Sequence, residues 1–281
     1  MTTTTTNHST MYNVPANFID EKKVWEILEA YKTADSVKVR EVLAKAAEMK
    51  GLEMEDVAVL TGISDPGLLD ELFQTANEVK ETIYGKRLVL FAPLYISNLC
   101  SNECLYCAFR ATNKSIVRSA LSQKQIAREV EILINHGHKR ILLVAGESYT
   151  SQGFDYILDA IRTIYSVKSD HGEIRRVNVN IAPLDTEEFK LLKGEGIGTY
   201  QIFQETYHRE TYSKVHKGGK KRDYNWRIWS LHRAMKAGID DLGIGVLFGL
   251  FDYRFEIMAM MQHIRELEKQ FGVGPHTISV P

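Results

Sequence analysis

Along this chain the hydrophobic positions change their period once. Between Phe18 and Gly85 they recur at helical spacing, with Val24, Trp25, Ile27, Leu28 and Tyr31 forming one stripe behind Phe18-Ile19-Asp20, and Val39, Val42, Leu43 and Ala46 a second from about Ser36. Ser64-Asp65-Pro66 predicts the start of a third helix, because a capping side chain precedes a proline whose missing N–H costs nothing in the first turn. Its core face is expected to carry Leu69, Leu72, Phe73, Ala76, Val79 and Ile83, with Gly85 as the stop. From Leu88 onward short apolar runs alternate with amphipathic stretches. Residues 88–95, 140–146, 176–182, 199–204, 241–251 and 277–280 read as strands. Residues 122–136 and 153–167 read as helices, and Asp185-Thr-Glu-Glu188 as the cap of another.

Near-continuous apolar strands separated by helices predict an α/β fold with a parallel sheet covered by helices. The expected architecture is a parallel (β/α) TIM-type barrel, incomplete at about six β/α units where a standard barrel has eight. The last strand has no helix after it to cover it, so the chain reads as a fragment of a longer protein. Two regions are expected: residues 1–86, a disordered lead with a helical extension, and residues 87–281, the partial barrel.

Composition narrows the function. Lys and Arg number 35 against 36 Asp and Glu, and the basic residues are scattered, which predicts no nucleic-acid partner. No apolar run reaches the about 20 residues that span a bilayer, so no membrane partner is expected. The Thr-rich residues 1–10 lack a signal peptide's apolar centre, which fits a cytoplasmic protein.

The chemistry concentrates in Cys100-Ser-Asn-Glu-Cys104-Leu-Tyr-Cys107, which holds all three cysteines of the chain. Three thiolates on one short loop suit an iron-sulfur cube. Three ligands leave one iron open, and an open iron can bind and polarise a small molecule. Other readings stand beside it: a zinc site completed by His136 or His138, a Cys104–Cys107 disulfide, or unligated buried thiols.

Polar residues after the other strands are further candidates, because parallel barrels build their sites at the carboxyl ends of strands. Ala145-Gly146-Glu147 follows the second strand and Gln204-Glu205-Thr206-Tyr207-His208 the fourth. A carboxylate such as Glu205 can accept both hydroxyls of a ribose. The basic loop from Tyr212 to Arg227 suits either a bound carboxylate or solvent. Ile228, Leu231 and Met235 read as core, and His232 as a helix residue with its hydrogen bonds met. The glycines of Gly243-Ile-Gly-Val-Leu-Phe-Gly249 read as close-packing positions rather than a phosphate loop.

C-x3-C-x2-C with Tyr106 before the third cysteine resembles the signature of the radical S-adenosylmethionine (SAM) enzymes. The resemblance implies a 4Fe-4S cluster on Cys100, Cys104 and Cys107, with SAM chelated at the free iron and cleaved by one electron to a 5'-deoxyadenosyl radical. It also implies Tyr106 beside the adenine, Ala145-Gly146-Glu147 as the edge that receives the methionine amino group, and Glu205 on the ribose. The family's edge is Gly-Gly-Glu, so Ala145 is a small departure.

Several segments resemble a narrower group, the tyrosine lyases of FeFe-hydrogenase maturation. They are residues 11–20, Tyr95-Ile-Ser-Asn98, Val144-Ala-Gly-Glu147, Phe203-Gln-Glu-Thr-Tyr-His208 and Pro275-His-Thr-Ile-Ser-Val-Pro281. The thiamine-pathway tyrosine lyase, 2-iminoacetate synthase, shares the cysteine spacing and the Tyr-x3-His-x2-Gly loop. Both resemblances imply cleavage of the Cα–Cβ bond of L-tyrosine to dehydroglycine and p-cresol, and the maturase turns dehydroglycine into carbon monoxide and cyanide. The implied partners are L-tyrosine, an electron donor such as ferredoxin or flavodoxin, and other hydrogenase maturation proteins. His276 is implied at the iron of an auxiliary iron-sulfur cluster, which belongs to the full-length family protein, since no cysteine follows Cys107 here.

Overall fold

Asp20, Asp35 and Asp65 each turn a carboxylate back onto a backbone N–H, of Lys23, Val37 and Leu68 respectively, and so start α1 (Glu21–Ala30), α2 (Ser36–Ala47) and α4 (Pro66–Tyr84). The structure is a computed structural model that describes residues 17–33 and 35–281; the Thr-rich lead and most of the 11–20 segment lie outside the described residues. Between α2 and α4 lies α3 (Met54–Thr61), a two-turn helix closed by a Glu53/Asp56 capping box. It is too short to show a period and was not foreseen from the pattern.

Strands and helices then alternate: β1 (Ala92–Ser97), α5 (Gln123–Asn135), β2 (Arg140–Ala145), α6 (Asp155–Ser166), a small hairpin of β3 (Lys168–Ser169) and β4 (Gly172–Glu173), β5 (Arg176–Asn180) and α7 (Thr186–Gly194). The second half runs β6 (Tyr200–Glu205), α8 (Arg209–Val215), α9 (Tyr224–Ile228), α10 (Ser230–Lys236), β7 (Leu242–Val246), α11 (Tyr253–Phe271) and β8 (Thr277–Ser279). The main sheet has six strands in the order β1-β2-β5-β6-β7-β8, every neighbouring pair parallel. The α/β expectation is met, with β1 and β8 at the open edges of an incomplete barrel.

Alternate residues of each strand face the helices. Ile141, Leu143, Val177, Val179, Tyr200 and Ile202 are buried in one core with Ile126, Ile157, Ile161, Phe189, Leu231 and Phe255 from the helical layer. Val24, Ile27 and Leu28 of α1 join that same core, whereas Val39, Val42, Leu43, Val59, Ile63 and Leu68 form a smaller one among α2, α3 and α4. On β7 the close-packing reading of the glycines holds: a Cβ at Gly245 would stand 2.1 Å from the Ser279 carbonyl oxygen and 2.8 Å from the Phe203 ring.

Four details depart from the pattern. The fifth expected strand, residues 241–251, ends at Val246, and Gly249 lies beyond it at φ +99° with open space where a Cβ would stand, so close packing does not account for that glycine. The first strand begins at Ala92, because its ladder with β2 starts at Ala92–Ile141, and Leu88 to Phe91 run exposed outside it. On α4 only the first two turns meet the small core; Leu68 is buried, while Phe73 and Ile83 of the expected face are 65% and 50% exposed. His232 is buried among Phe18, Trp229 and His263 with neither ring nitrogen hydrogen-bonded, so its bonds are not met.

Candidate active site

The parallel sheet sets the chain direction, so the cysteine loop after β1, Glu147 after β2 and Glu205 at the end of β6 share one mouth of the sheet. The loop is pinned on two sides. Its backbone pairs with the end of α8 and the segment after it through Leu105 N to Val215 O (2.9 Å), Lys217 N to Glu103 O (2.8 Å) and Glu103 N to Gly218 O (3.1 Å). On the other side the Arg118 guanidinium donates to the carbonyls of Asn98 (2.8 Å), Phe109 (2.8 Å) and Arg110 (2.6 Å). Five donors in a rigid fork suit that task.

The three thiols are free, which removes the disulfide reading. Cys104 is buried, with Cys100 and Cys107 partly exposed. Burial pushes the Cys104 thiol up to about 11, only partly offset by the Lys221 cation. Among the described residues no three His, Cys, Asp or Glu side chains are arranged around a single metal ion. Three thiols on one loop with no fourth cysteine in the chain match a cluster that keeps one iron free.

Ala145-Gly146-Glu147 lies directly against this loop. A Cβ at Gly146 would stand 2.2 Å from the Leu99 carbonyl oxygen, and Asn102 Nδ2 donates to Glu147 at 2.8 Å. Tyr106 is oriented by His216. The His216 Nδ1 contacts the Tyr212 carbonyl at 2.9 Å and must donate to it, so Nε2 is the acceptor for the Tyr106 hydroxyl at 2.7 Å. Burial, then Lys221 and Arg227, hold His216 down at about 3, which keeps it neutral in that tautomer.

Beside the cysteines lies a buried charge cluster. Arg227 donates to Glu147 at 2.8 Å and to Glu205 at 3.5 Å, and Lys221 Nζ donates to Glu205 at 2.5 Å with Glu147 at 3.9 Å. Two cations and two carboxylates compensate each other, and none of the four side chains is more than 16% exposed. Burial pushes the Glu147 carboxyl up, and the Arg227 and Lys221 cations more than reverse it, to about 2. Glu205 carries the cluster's strain: its φ is +72°, a conformation that costs a non-glycine residue about 1–3 kcal/mol.

Most of the residues named from the sequence therefore meet at one mouth: Cys100, Cys104, Cys107, Tyr106, Ala145, Gly146, Glu147 and Glu205. His276 does not join them. It is exposed, and its N–H bonds the Leu242 carbonyl at 2.9 Å, at the amino end of β7 and β8. Asn102 and Arg118 carry no sequence signal. His216, Lys221 and Arg227 sit in the basic loop, whose charge does not distinguish a buried cation from a solvated one.

A crystal structure of HydG, a maturase of the FeFe-hydrogenase, superposes with a TM-score of 0.92 at 51% identity over 95% of this chain. HydG from Carboxydothermus hydrogenoformans gives 0.85 at 42% over 93%. The 2-iminoacetate synthase of Escherichia coli (strain K12) is 33% identical over 84% of the chain. The chain spans 58%, 60% and 61% of those three proteins. The model of the radical SAM superfamily matches residues 94–264, from β1 into α11. With its cysteine loop, its glycine edge and the strands from β2 to β7 inside that match, the chain belongs to the radical SAM superfamily.

Proposed function

We propose that the chain binds a 4Fe-4S cluster and SAM for a tyrosine lyase of the FeFe-hydrogenase maturase type. Cys100, Cys104 and Cys107 would hold the cluster at three irons with SAM at the fourth, and the bound pair supplies a carbon-centred radical after one-electron reduction. The remaining roles fall to side chains of this chain. Arg227 and Lys221 are the buried cations within reach of a SAM carboxylate, Glu205 can accept from the ribose, and Tyr106 offers a ring fixed by His216. The edge at Ala145-Gly146-Glu147 offers backbone acceptors for the methionine amino group.

The observation that carries this reading is the meeting of three free thiols with the Glu147/Glu205/Lys221/Arg227 cluster at one mouth. L-tyrosine as substrate, p-cresol and dehydroglycine as products, and an electron donor of the ferredoxin or flavodoxin kind belong to the same proposal, as does work beside other hydrogenase maturation proteins. The higher identity to the two HydG structures favours the maturase over the 2-iminoacetate synthase reading. For His276, the proposal is a ligand to the auxiliary iron of the full-length family protein, whose cluster this chain, with no cysteine after Cys107, does not supply.

Anaerobic reconstitution tests it. The expected result is a 4Fe-4S EPR signal that changes on adding SAM, with deoxyadenosine formed on reduction. Cys104→Ala should abolish both, and substantial residual SAM cleavage by that variant would defeat the assignment.

A further inference from the structure

The turn after β6 holds Glu205 at φ +72°, and such strain persists only where the surroundings overdetermine it. Its anchors lie in the two residues that follow. The Glu256 carboxylate of α11 accepts the Thr206 hydroxyl and, at 2.8 Å, the Tyr207 N–H. The Tyr224 hydroxyl donates to the Tyr207 carbonyl at 2.9 Å, and the Tyr207 hydroxyl meets His263 Nδ1 at 2.9 Å. Glu256 is fully buried, and a carboxylate is costly to bury unless its bonds are specific. Its bonds come from Thr206, Tyr207 and His208, the three residues that follow Glu205.

We propose that Glu256 is a positioning residue for SAM: by fixing Thr206 and Tyr207 it keeps the strained Glu205 turned toward Lys221 and Arg227, where the nucleoside binds. This rests on the SAM reading of the site above. Glu256 acts through Glu205 and touches no cofactor itself. An apolar side chain of similar size would fill its space and leave the Thr206 hydroxyl and the Tyr207 N–H unpaired in the core. A glutamine would keep both bonds, its oxygen accepting from Tyr207 and its amide donating to Thr206.

The test uses the full chain with Glu256→Leu and Glu256→Gln. Amide hydrogen exchange over residues 205–208, measured without SAM, should accelerate in Glu256→Leu and stay near the parent rate in Glu256→Gln; unchanged exchange in the leucine variant overturns the proposal. After cluster reconstitution, SAM affinity should fall about tenfold in Glu256→Leu and be largely rescued in Glu256→Gln. In a Glu205→Ala background the leucine change should add nothing, and an undiminished effect there would show that Glu256 does not act through Glu205. Thr206→Val, which removes one donor and keeps the shape, should show the same pattern at smaller amplitude if the leucine variant does not fold. SAM binding that is equal in the parent and Glu205→Ala would instead overturn the site reading, an outcome the exchange data separate from failure of the turn.

Discussion

The Leu99 carbonyl oxygen lies 2.2 Å from where a Cβ on residue 146 would stand. The residue before Cys100 is thus packed onto the backbone that ends β2, which ties the cysteine loop to the Ala145-Gly146-Glu147 edge.

Gly146→Ala therefore forces the Leu99 peptide away. Overpacking of this kind costs about 1–3 kcal/mol. The expected result is a lower Tm together with reduced iron and sulfide per chain after reconstitution, since the displaced peptide leads into the first ligand. Parent-level iron in a well-folded variant would show that the contact does not govern the loop.

Arg118 supports the same loop from the other side by gathering the Asn98, Phe109 and Arg110 carbonyls. Arg118→Ala should lower cluster loading and speed cluster loss in air. Arg118→Lys should not restore it, because one ammonium lacks the fork that spans three carbonyls. Iron retention over time after reconstitution checks both.

Removing Arg227 leaves Glu147 buried without its nearest cation. Arg227→Met is expected to destabilise the fold by about 3–5 kcal/mol, and pairing it with Glu147→Gln should recover much of that loss. Urea melts of the two variants decide it. An additive double variant would mean that the pair is not coupled.

Two carboxyls give stability opposite pH trends. Glu147, held near 2 against an ordinary 4.5, contributes stability that is complete above pH 4.5 and lost as pH falls toward 2. Glu256 is pushed up to about 7, by burial first, with Glu21 adding to it against the bonds from Thr206, Tyr207 and His208. Its contribution is complete below pH 4.5 and lost as pH rises through 7. Glu147→Gln should lessen the Tm loss on acidification, to which His216 and His232, held by burial at about 3 and about 4, also contribute, and Glu256→Gln should lessen the Tm loss between pH 4.5 and 7.

By itself the sequence determined what depends on near neighbours. Caps at Asp20, Asp65 and Asp185, strand and helix periods and the Cys100/Cys104/Cys107 spacing arise within a few residues, so a linear reading captures them. Only the tertiary structure decided which charges are buried together. Arg227 and Glu147 are 80 residues apart, and Lys221 is enclosed while its neighbours Lys220 and Arg222 are exposed. It also decided where β1 begins and which turns of α4 are covered, because strand pairing and burial depend on a partner the local sequence does not contain.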